Sequence, residues 1–259
     1  MELLIEDAKF FKQCVDAIDN LVDEGTFEVS ASGLRLRTMD PSQIALVDFF
    51  LPKEAFKKFD FDGTAMLGIN LADLSKVLGR ARSGESLKIA SDEKESNKLF
   101  LEFRGESKRD FKLPLLDLSA SMAKELKIPF SAHVKIKGGA FKELLKDASL
   151  LSSHVVLEAS ADEFILEAHG DSGDLKTETK KDAPSMVELK YAAAADAKGV
   201  AAKSARAMFP YEYLDNITRA CPDDAALEIA LKSDAPVKAS YQIGKAQLSY
   251  FLAPRVESI

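Results

Sequence analysis

Apolar residues near the start of the chain recur at three- and four-residue intervals, which is typical of an amphipathic helix. Phe11, Val15 and Ile18 form this stripe, and a second stripe of the same kind lies over 141–151. Alternating apolar and polar positions follow the first stripe and indicate half-buried strands. In chain order we expect strands over 26–31, 34–38 and 44–52, a helix over Leu71 to Ala81, and strands over 86–91 and 98–104.

The chain contains an internal repeat, since residues 11–42 align without a gap on 141–172. The identical pairs are Phe11/Phe141, Lys12/Lys142, Leu21/Leu151, Glu28/Glu158, Ser30/Ser160, Ala31/Ala161, Leu36/Leu166 and Ser42/Ser172. Towards the ends of the two copies, Phe111 and Pro114 align with Phe251 and Pro254. We therefore predict two domains of one fold, 1–114 and 131–259, joined by a connector over 115–130.

Each copy combines two helices with several short strands bounded by polar residues. Such strands suit antiparallel sheets that carry their helices on one face. The expected fold class is α+β, with two duplicated domains in a chain of 259 residues.

Composition indicates a globular protein, with 46% hydrophobic and 30% charged residues. The start "MELLIEDAKFF" carries acids where a signal peptide needs a basic segment, and no apolar run is long enough to span a membrane. We expect a cytoplasmic protein, or a nuclear one in a eukaryote, whose Cys14 and Cys221 are core thiols. The net charge of −7, taken alone, argues against nucleic acid as a partner.

The sequence lacks the motifs of common enzymes and cofactor sites. It has no phosphate-binding glycine loop and no G-x-S-x-G elbow. His133, His154 and His169 do not have the spacing of metal ligands, so ordinary structural histidines are the better interpretation. We expect no catalytic residue, no metal and no cofactor, although folding could still bring carboxylates together.

Basic residues lie off the apolar stripe on all four predicted helices. The cations in question are Lys12, Lys76, Arg80, Lys142, Lys146 and Arg219. Any one exposed lysine is most simply a solvated side chain. Its recurrence on every helix instead indicates a face that contacts phosphates without reading sequence, although nearby acids such as Asp16, Asp73 and Asp147 dilute the charge.

Four stretches of this sequence resemble the archaeal and eukaryotic DNA sliding clamps, the proliferating cell nuclear antigen (PCNA) family. They are "LRLRTMDPSQIALVDFFLP" (34–52), "LLDLSASMAKELKIPF" (115–130), "YEYLDNITRA" (211–220) and "YFLAPRVE" (250–257). The M-D-x-S and L-A-P-[KR]-[IV]-E signatures occur together with the repeat, and the resemblance covers the whole chain in matching order. The short ending after Glu257 is more similar to the archaeal members.

The resemblance implies a ring of three subunits around duplex DNA, loaded by a clamp loader. Geometry agrees with three subunits. Helix axes at a radius of about 20 Å lie on a circle with a circumference of about 125 Å, which holds about 12 helices at 8–10 Å spacing. Four helices per chain then give three chains. The implied partners are DNA polymerase, clamp loader, flap nuclease and ligase, bound through Q-x-x-[ILM]-x-x-[FY]-[FY] peptides, with no membrane partner.

The resemblance also assigns residues. The implied partner groove comprises Met39, Ile44, Leu46, Ile128, Pro129, Phe130, Pro236, Phe251, Ala253, Pro254 and Val256. Of Ile44 and Leu46, one is expected to be ordinary strand core. The DNA-facing cations that match the family pattern are Lys12, Lys76, Lys146 and Arg219, and Lys142 and Arg80 match it more loosely. Gln13, Asp19 and Gly79 stand where eukaryotic members often have lysine. The implied subunit interface contains Arg109, Phe111 and Leu175, with the strand near 107–113 pairing with 173–179 of the next subunit.

Three assemblies or functions remain open at the level of sequence. The first is a homotrimeric clamp, and the second is one subunit of a heterotrimeric clamp. The third is an enzyme or a ligand-binding domain on a duplicated fold, against which the missing motifs argue.

Overall fold

The computed structural model describes residues 1–92, 95–118, 123–124, 126–192 and 202–255. These residues form two compact units. The first unit comprises 1–124 and the hairpin tip 243–248, and the second comprises the remaining described residues of 125–242 and 249–259.

The first unit contains two helices and nine strands in its described residues. The helices are α1 (Ala8–Asp19) and α2 (Leu71–Leu78). The strands are β1 (Glu2–Ile5), β2 (Glu24–Ser30), β3 (Gly33–Met39), β4 (Ala45–Pro52), β5 (Lys58–Asp60), β6 (Ala65–Asn70), β7 (Ser86–Ala90), β8 (Lys98–Arg104) and β9 (Lys108–Pro114). A short 3₁₀ turn, Lys53–Ala55, follows β4.

The second unit is built in the same way. Its helices are α3 (Gly138–Ser149) and α4 (Tyr211–Arg219). Its strands are β10 (Ala132–Lys137), β11 (His154–Ser160), β12 (Glu163–Gly170), β13 (Gly173–Lys180), β14 (Met186–Tyr191), β15 (Ser204–Pro210), β16 (Ala226–Leu231), β17 (Val237–Ile243) and β18 (Ala246–Leu252). The end of β17 and the start of β18 belong to the hairpin tip 243–248, which is counted with the first unit.

Strand order is repeated between the two units. In the first, five antiparallel strands have the order β5-β1-β7-β8-β9 and a further run of four has the order β4-β3-β2-β6. In the second, β14-β10-β16-β17-β18 is the five-stranded run and β13-β12-β11-β15 the four-stranded one. The predicted α+β class with antiparallel sheets and two helices in each copy is confirmed.

Equivalent positions of the repeat fill equivalent places in the two cores. Phe11 on α1 and Phe141 on α3 are both buried, and so are Leu36 on β3 and Leu166 on β12. In each unit the two helices pack beside each other. Each apolar stripe therefore faces a core, as its spacing predicted, and the polar side of each helix is left outside.

The prediction for the second helix was three residues too long. α2 ends at Leu78 and is followed by Gly79, and glycine has a low helix propensity. The amides of Arg80 and Ala81 bond to carbonyls three residues back, at 3.0 and 2.9 Å, in the manner of a 3₁₀ turn. Arg80 therefore lies on a turn after the helix and not on the helix itself.

Candidate DNA-facing and partner-binding surfaces

The cations of α1 and α2 have acidic partners on their own helices. Lys12 forms an ion pair with Asp16, one turn further along α1. The Lys76 ammonium lies 3.1 Å from a carboxylate oxygen of Asp73, and its side chain is 76% exposed. Exposed pairs at this spacing contribute only about 0.3–0.5 kcal/mol, so a phosphate could replace the carboxylate at small cost.

The second unit shows the same arrangement on α3 and α4. Nζ of Lys146 lies 2.6 Å from Glu143, whose hydrogen bond raises the pKa of Lys146. The Arg219 guanidinium lies 2.6 Å from the carboxylate of Asp215. Both side chains are more than half exposed. These cations lie at the surface, and each is partly neutralised by a carboxylate one turn away.

Lys142 differs, because its partner is distant in sequence. Its ammonium lies 2.8 Å from Asp223 and donates to the carbonyl of Cys221 at 2.5 Å. The hydrogen bond from Lys142 lowers the pKa of Asp223. Only about a fifth of the Lys142 side chain is exposed. Lys142 therefore fixes the turn after α4 as well as carrying charge.

Arg80 is the sixth predicted cation. It is exposed, and it has no ion pair in the part of the chain that the structure describes. Its carbonyl accepts a hydrogen bond of 3.0 Å from Arg109. Five of the six predicted cations are therefore paired with an acid. The sequence had indicated such dilution by Asp16 and Asp73, whereas the partners Glu143, Asp215 and Asp223 were not named.

The first unit carries the part of the predicted groove that runs from the end of β3 to the start of β4. Met39 is 40% exposed, Ile44 is half-buried and Leu46 on β4 is 3% exposed. Of Ile44 and Leu46, Leu46 is thus the core residue. Its burial leaves Met39 and Ile44 as the accessible apolar surface here.

Asp40 shapes this segment, and the sequence reasoning did not assign it a role. Its buried carboxylate accepts hydrogen bonds from the amides of Ser42 at 3.0 Å, Ile44 at 2.8 Å and Ala45 at 2.7 Å. Gln43 adopts a positive φ of 60° within the same turn. An aspartate that precedes Ser by two residues is a known turn signal, so the M-D-x-S signature could have revealed it.

The second unit contains a pocket of about 410 Å³. Ile128, Phe130 and Phe251 line it, so three of the predicted groove residues come together here. Its lining also includes the cations Lys127, Lys135 and Lys238, together with His133 and with Glu228, which pairs with Lys135 at 2.7 Å. The pocket can therefore take an aromatic or aliphatic side chain beside a polar or acidic one.

The other predicted groove residues of the second unit lie outside the pocket lining. Pro129 is exposed, and Pro236, Ala253 and Pro254 are half-buried. Val256 lies outside the described residues. Lys238, whose ammonium lies 5.6 Å from the centre of the Phe251 ring, was not predicted, because nothing in its sequence surroundings places it beside an aromatic residue.

The predicted interface residues lie on two edge strands. Phe111 and Arg109 lie on β9, the last strand of its sheet, and Leu175 lies on β13, also an edge. Phe111 is half-buried and meets Phe103 edge-to-face at 5.7 Å. Arg109 also acts within its own unit, since its guanidinium pairs with buried Glu85 and lies 5.0 Å from the Phe103 ring.

Metal and thiol chemistry find little support among the described residues. No group of three potential ligands among them could hold a metal ion. Burial raises the pKa of Cys14 to about 12 and that of Cys221 to about 11, so neither thiol is poised as a nucleophile. Burial, and then the nearby Arg255, lowers the pKa of His154. No helix in the described part of the chain is long and apolar enough to cross a membrane.

Comparisons with known proteins agree along the whole chain. The family models of the proliferating cell nuclear antigen N-terminal and C-terminal domains match residues 1–122 and 126–256. A "DNA polymerase sliding clamp" of Methanococcus vannielii is 35% identical over 97% of this chain and 98% of its own length.

Two solved structures have the same fold. PCNA from Thermococcus kodakaraensis gives a TM-score of 0.89 at 25% identity, covering 98% of this chain and 99% of its own. The A. fulgidus PCNA that was solved with the C-terminal region of FEN-1 gives 0.86 at 23% identity, covering 100% and 99%.

Proposed function

The chain belongs to the proliferating cell nuclear antigen family of DNA sliding clamps, and on that premise we propose that three copies close into a ring around duplex DNA. The observation that carries this function is the match of both family domains, in order, over nearly the whole chain. A ring held by topology needs no tight contact with DNA. It would slide and keep a bound polymerase at the template, with no chemistry of its own.

The helix surfaces support this function. Lys12, Lys76, Lys142, Lys146 and Arg219 lie on helices, and Arg80 follows one. Phosphate contacts of this kind are independent of sequence and sensitive to salt. Acid partners weaken all of these cations except Arg80, which suits a protein that must move along DNA and not stop on it. The chromosome is then the place where the protein works.

Client enzymes would dock through the groove. The pocket beside Phe130 and Phe251 offers an apolar site for the aromatic anchor of a Q-x-x-[ILM]-x-x-[FY]-[FY] peptide. Met39 and Ile44 offer a second apolar surface in the first unit. We propose DNA polymerase, clamp loader, flap nuclease and ligase as users of these surfaces. The FEN-1 segment bound to A. fulgidus PCNA supports such docking for that protein.

A charge-reversal experiment tests the ring function. Lys76→Glu with Lys146→Glu should abolish the stimulation of polymerase processivity on primed circular DNA, while the trimer persists in light scattering. The matched control is Lys57→Glu with Lys190→Glu, which makes the same change in net charge at exposed lysines away from the helices. Equal effects of the two double variants would contradict the assignment of the helices to DNA.

The second candidate is one subunit of a heterotrimeric clamp. Light scattering of the pure chain separates the two, because a stable trimer of this chain alone excludes an obligate heterotrimer. A subunit of either assembly would carry the same two open edges, β9 and β13, so the light-scattering experiment decides between them.

A further inference from the structure

The Phe251 pocket, the cavity of about 410 Å³ in the second unit, is lined by two lysines that lack an acidic partner. Its lining contains three lysines and one carboxylate, that of Glu228. Glu228 lies 2.7 Å from Lys135, so this lysine is paired. Lys127 and Lys238 have no ion pair in the part of the chain that the structure describes.

Lys238 is held at the pocket and does not extend freely into solvent. It is half-buried on β17, opposite Ala230 of β16, which lines the same cavity. Its ammonium lies 5.6 Å from the centre of the Phe251 ring. A cation over a ring face stays above apolar surface. The charge therefore lies beside the surface that an inserted apolar side chain would contact.

Lys127 brings a second charge to the pocket from a different segment. It is exposed and precedes Ile128, which lines the same cavity. Lys127 lies before β10 in the chain, whereas Lys238 lies on β17. One exposed lysine alone is usually a solvated side chain. Two lysines without a countercharge in one apolar cavity instead favour a ligand that brings negative charge.

The first unit has a cavity of about 510 Å³ at the equivalent place in its five-stranded sheet. Ala90 and Phe111 line it, and they align in the internal repeat with Ala230 and Phe251. The charged side chains in its lining are Glu2, Lys88, Asp92, Glu102 and Asp110. The fold thus accepts an acidic lining at this place, so the sheet itself does not require the lysines of the Phe251 pocket.

We propose that the Phe251 pocket selects docking peptides in which an acidic residue stands next to the apolar anchor, and that Lys127 and Lys238 make this selection. The proposal rests on the proposed docking function and specifies which peptides the site prefers. Consecutive Cα atoms are about 3.8 Å apart, so a neighbour of an inserted anchor lies within reach of a lysine at the cavity wall. A carboxylate there would meet two unpaired cations, whereas a basic residue would be repelled.

Glu228 does not cancel this preference. Its carboxylate is engaged by Lys135, and this hydrogen bond raises the pKa of Lys135, so the pair stays charged. A basic peptide residue would reach Glu228 only by displacing Lys135. The displaced ammonium would then be a third cation without a partner in the same cavity.

Two peptides that differ only in charge test the selection. Both carry the Q-x-x-[ILM]-x-x-[FY]-[FY] pattern, with Glu-Glu in one and Lys-Lys in the other at the two positions before the aromatic pair. Calorimetric titration into the full chain at about pH 8, where histidine is mostly neutral, measures both dissociation constants. We expect the Glu-Glu peptide to bind roughly tenfold more tightly at low salt, and the difference should shrink at high salt.

The expected preference runs against the charge of the whole chain. The net charge of −7 would by itself favour the Lys-Lys peptide. Lys127→Glu with Lys238→Glu should make the Lys-Lys peptide the tighter of the two. If that variant has a lower unfolding temperature, Lys127→Gln with Lys238→Gln makes the same comparison and should bring the two constants to within about twofold of each other.

The matched control is Lys57→Glu with Lys190→Glu, which makes the same change in net charge at exposed lysines outside the pocket lining. It should keep the preference for the Glu-Glu peptide. A reversal in the control as complete as in the pocket variant would overturn the assignment to Lys127 and Lys238.

The selection and the docking can fail separately. Equal affinities of the unaltered chain for the two peptides, or a preference for the Lys-Lys peptide, would overturn the selection while the docking stands. Binding of neither peptide at any concentration would overturn the proposed docking itself.

Discussion

The ammonium of Lys142 lies 2.8 Å from the carboxylate of Asp223, although 81 residues separate them in sequence. Lys142 and Lys146 lie one turn apart on α3, but Lys146 is 67% exposed and pairs with a residue of its own helix. Two lysines of one helix thus differ in how freely they can reach a phosphate.

We predict that Lys142 contributes to DNA contact only after Asp223 is neutralised. In the unaltered protein, Lys142→Ala should leave the slope of log affinity against log salt unchanged. In an Asp223→Asn background, the same substitution should reduce that slope by about 0.9, the value of one phosphate contact. Lys146→Ala, as the reference, should reduce it in both backgrounds. If Lys142→Ala reduced the slope by the same amount in the unaltered protein, Asp223 would not be keeping Lys142 from the phosphate.

Peptide docking should depend on Phe130. We expect Phe130→Ala to weaken a Q-x-x-[ILM]-x-x-[FY]-[FY] peptide by about 2 kcal/mol, or roughly 30-fold, because the ring forms one wall of the pocket. Calorimetric titration measures the change. Phe130 is preferred to Phe251, which is 7% exposed and whose removal would also cost about 3–5 kcal/mol of fold stability.

Leu150→Ala is the matched control for the peptide experiment. Leu150 is a large apolar residue that is 79% exposed and does not line the pocket. It should leave peptide affinity unchanged. Equal losses in Leu150→Ala and Phe130→Ala would place the docking site elsewhere.

Asp40 should be more important for stability than any exposed acid. Asp40→Ala removes an acceptor shared by three backbone amides, and we expect a loss of about 3 kcal/mol in the free energy of unfolding. Asp40→Asn keeps an acceptor oxygen and should lose less. Urea unfolding measures both. A loss below about 1 kcal/mol for Asp40→Ala would show that water replaces the carboxylate.

Acid should destabilise the first unit partly through Glu2. Hydrogen bonds from Lys88, and then from Lys58, lower the pKa of Glu2 from 4.5 to about 2. A lowered pKa in the folded state means that the carboxylate stabilises the fold above pH 4.5 and that this contribution is lost as the pH falls towards 2.

Glu2→Gln should therefore flatten the dependence of stability on pH between about pH 5 and about pH 3. Thermal unfolding across that range measures the difference between the variant and the unaltered protein. Glu24→Gln is the control, since Glu24 is exposed and has no ion pair among the described residues. If the unfolding temperature depended on pH in the same way in all three proteins, Glu2 would not contribute to the loss of stability in acid.

Local pattern predicted most of the fold. The repeat that aligned Phe11 with Phe141 correctly predicted duplicated cores, because burial depends on side-chain spacing that the sequence displays. The end of α2 was misjudged because the apolar pattern continues past Gly79, while the backbone there tightens into a 3₁₀ turn. Lys12 with Asp16 could have been paired from their spacing alone. Sequence could not predict the pairing of Lys142 with Asp223. It could not predict the contact of Lys238 with the Phe251 ring either. Only tertiary packing brings these residues together.

The sheet edges β9 and β13 are different strands, so association of subunits through them, if the proposed ring forms in this way, would have a direction. A copy that carries Lys176→Glu and Glu178→Lys on β13 would still offer an intact β9. Such a copy could bind one neighbouring subunit through β9, but it would not bind another through β13. In a mixture with unaltered protein, a small fraction of this variant should lower the fraction of closed rings by more than its own share. A single variant subunit leaves a gap in any assembly that it enters.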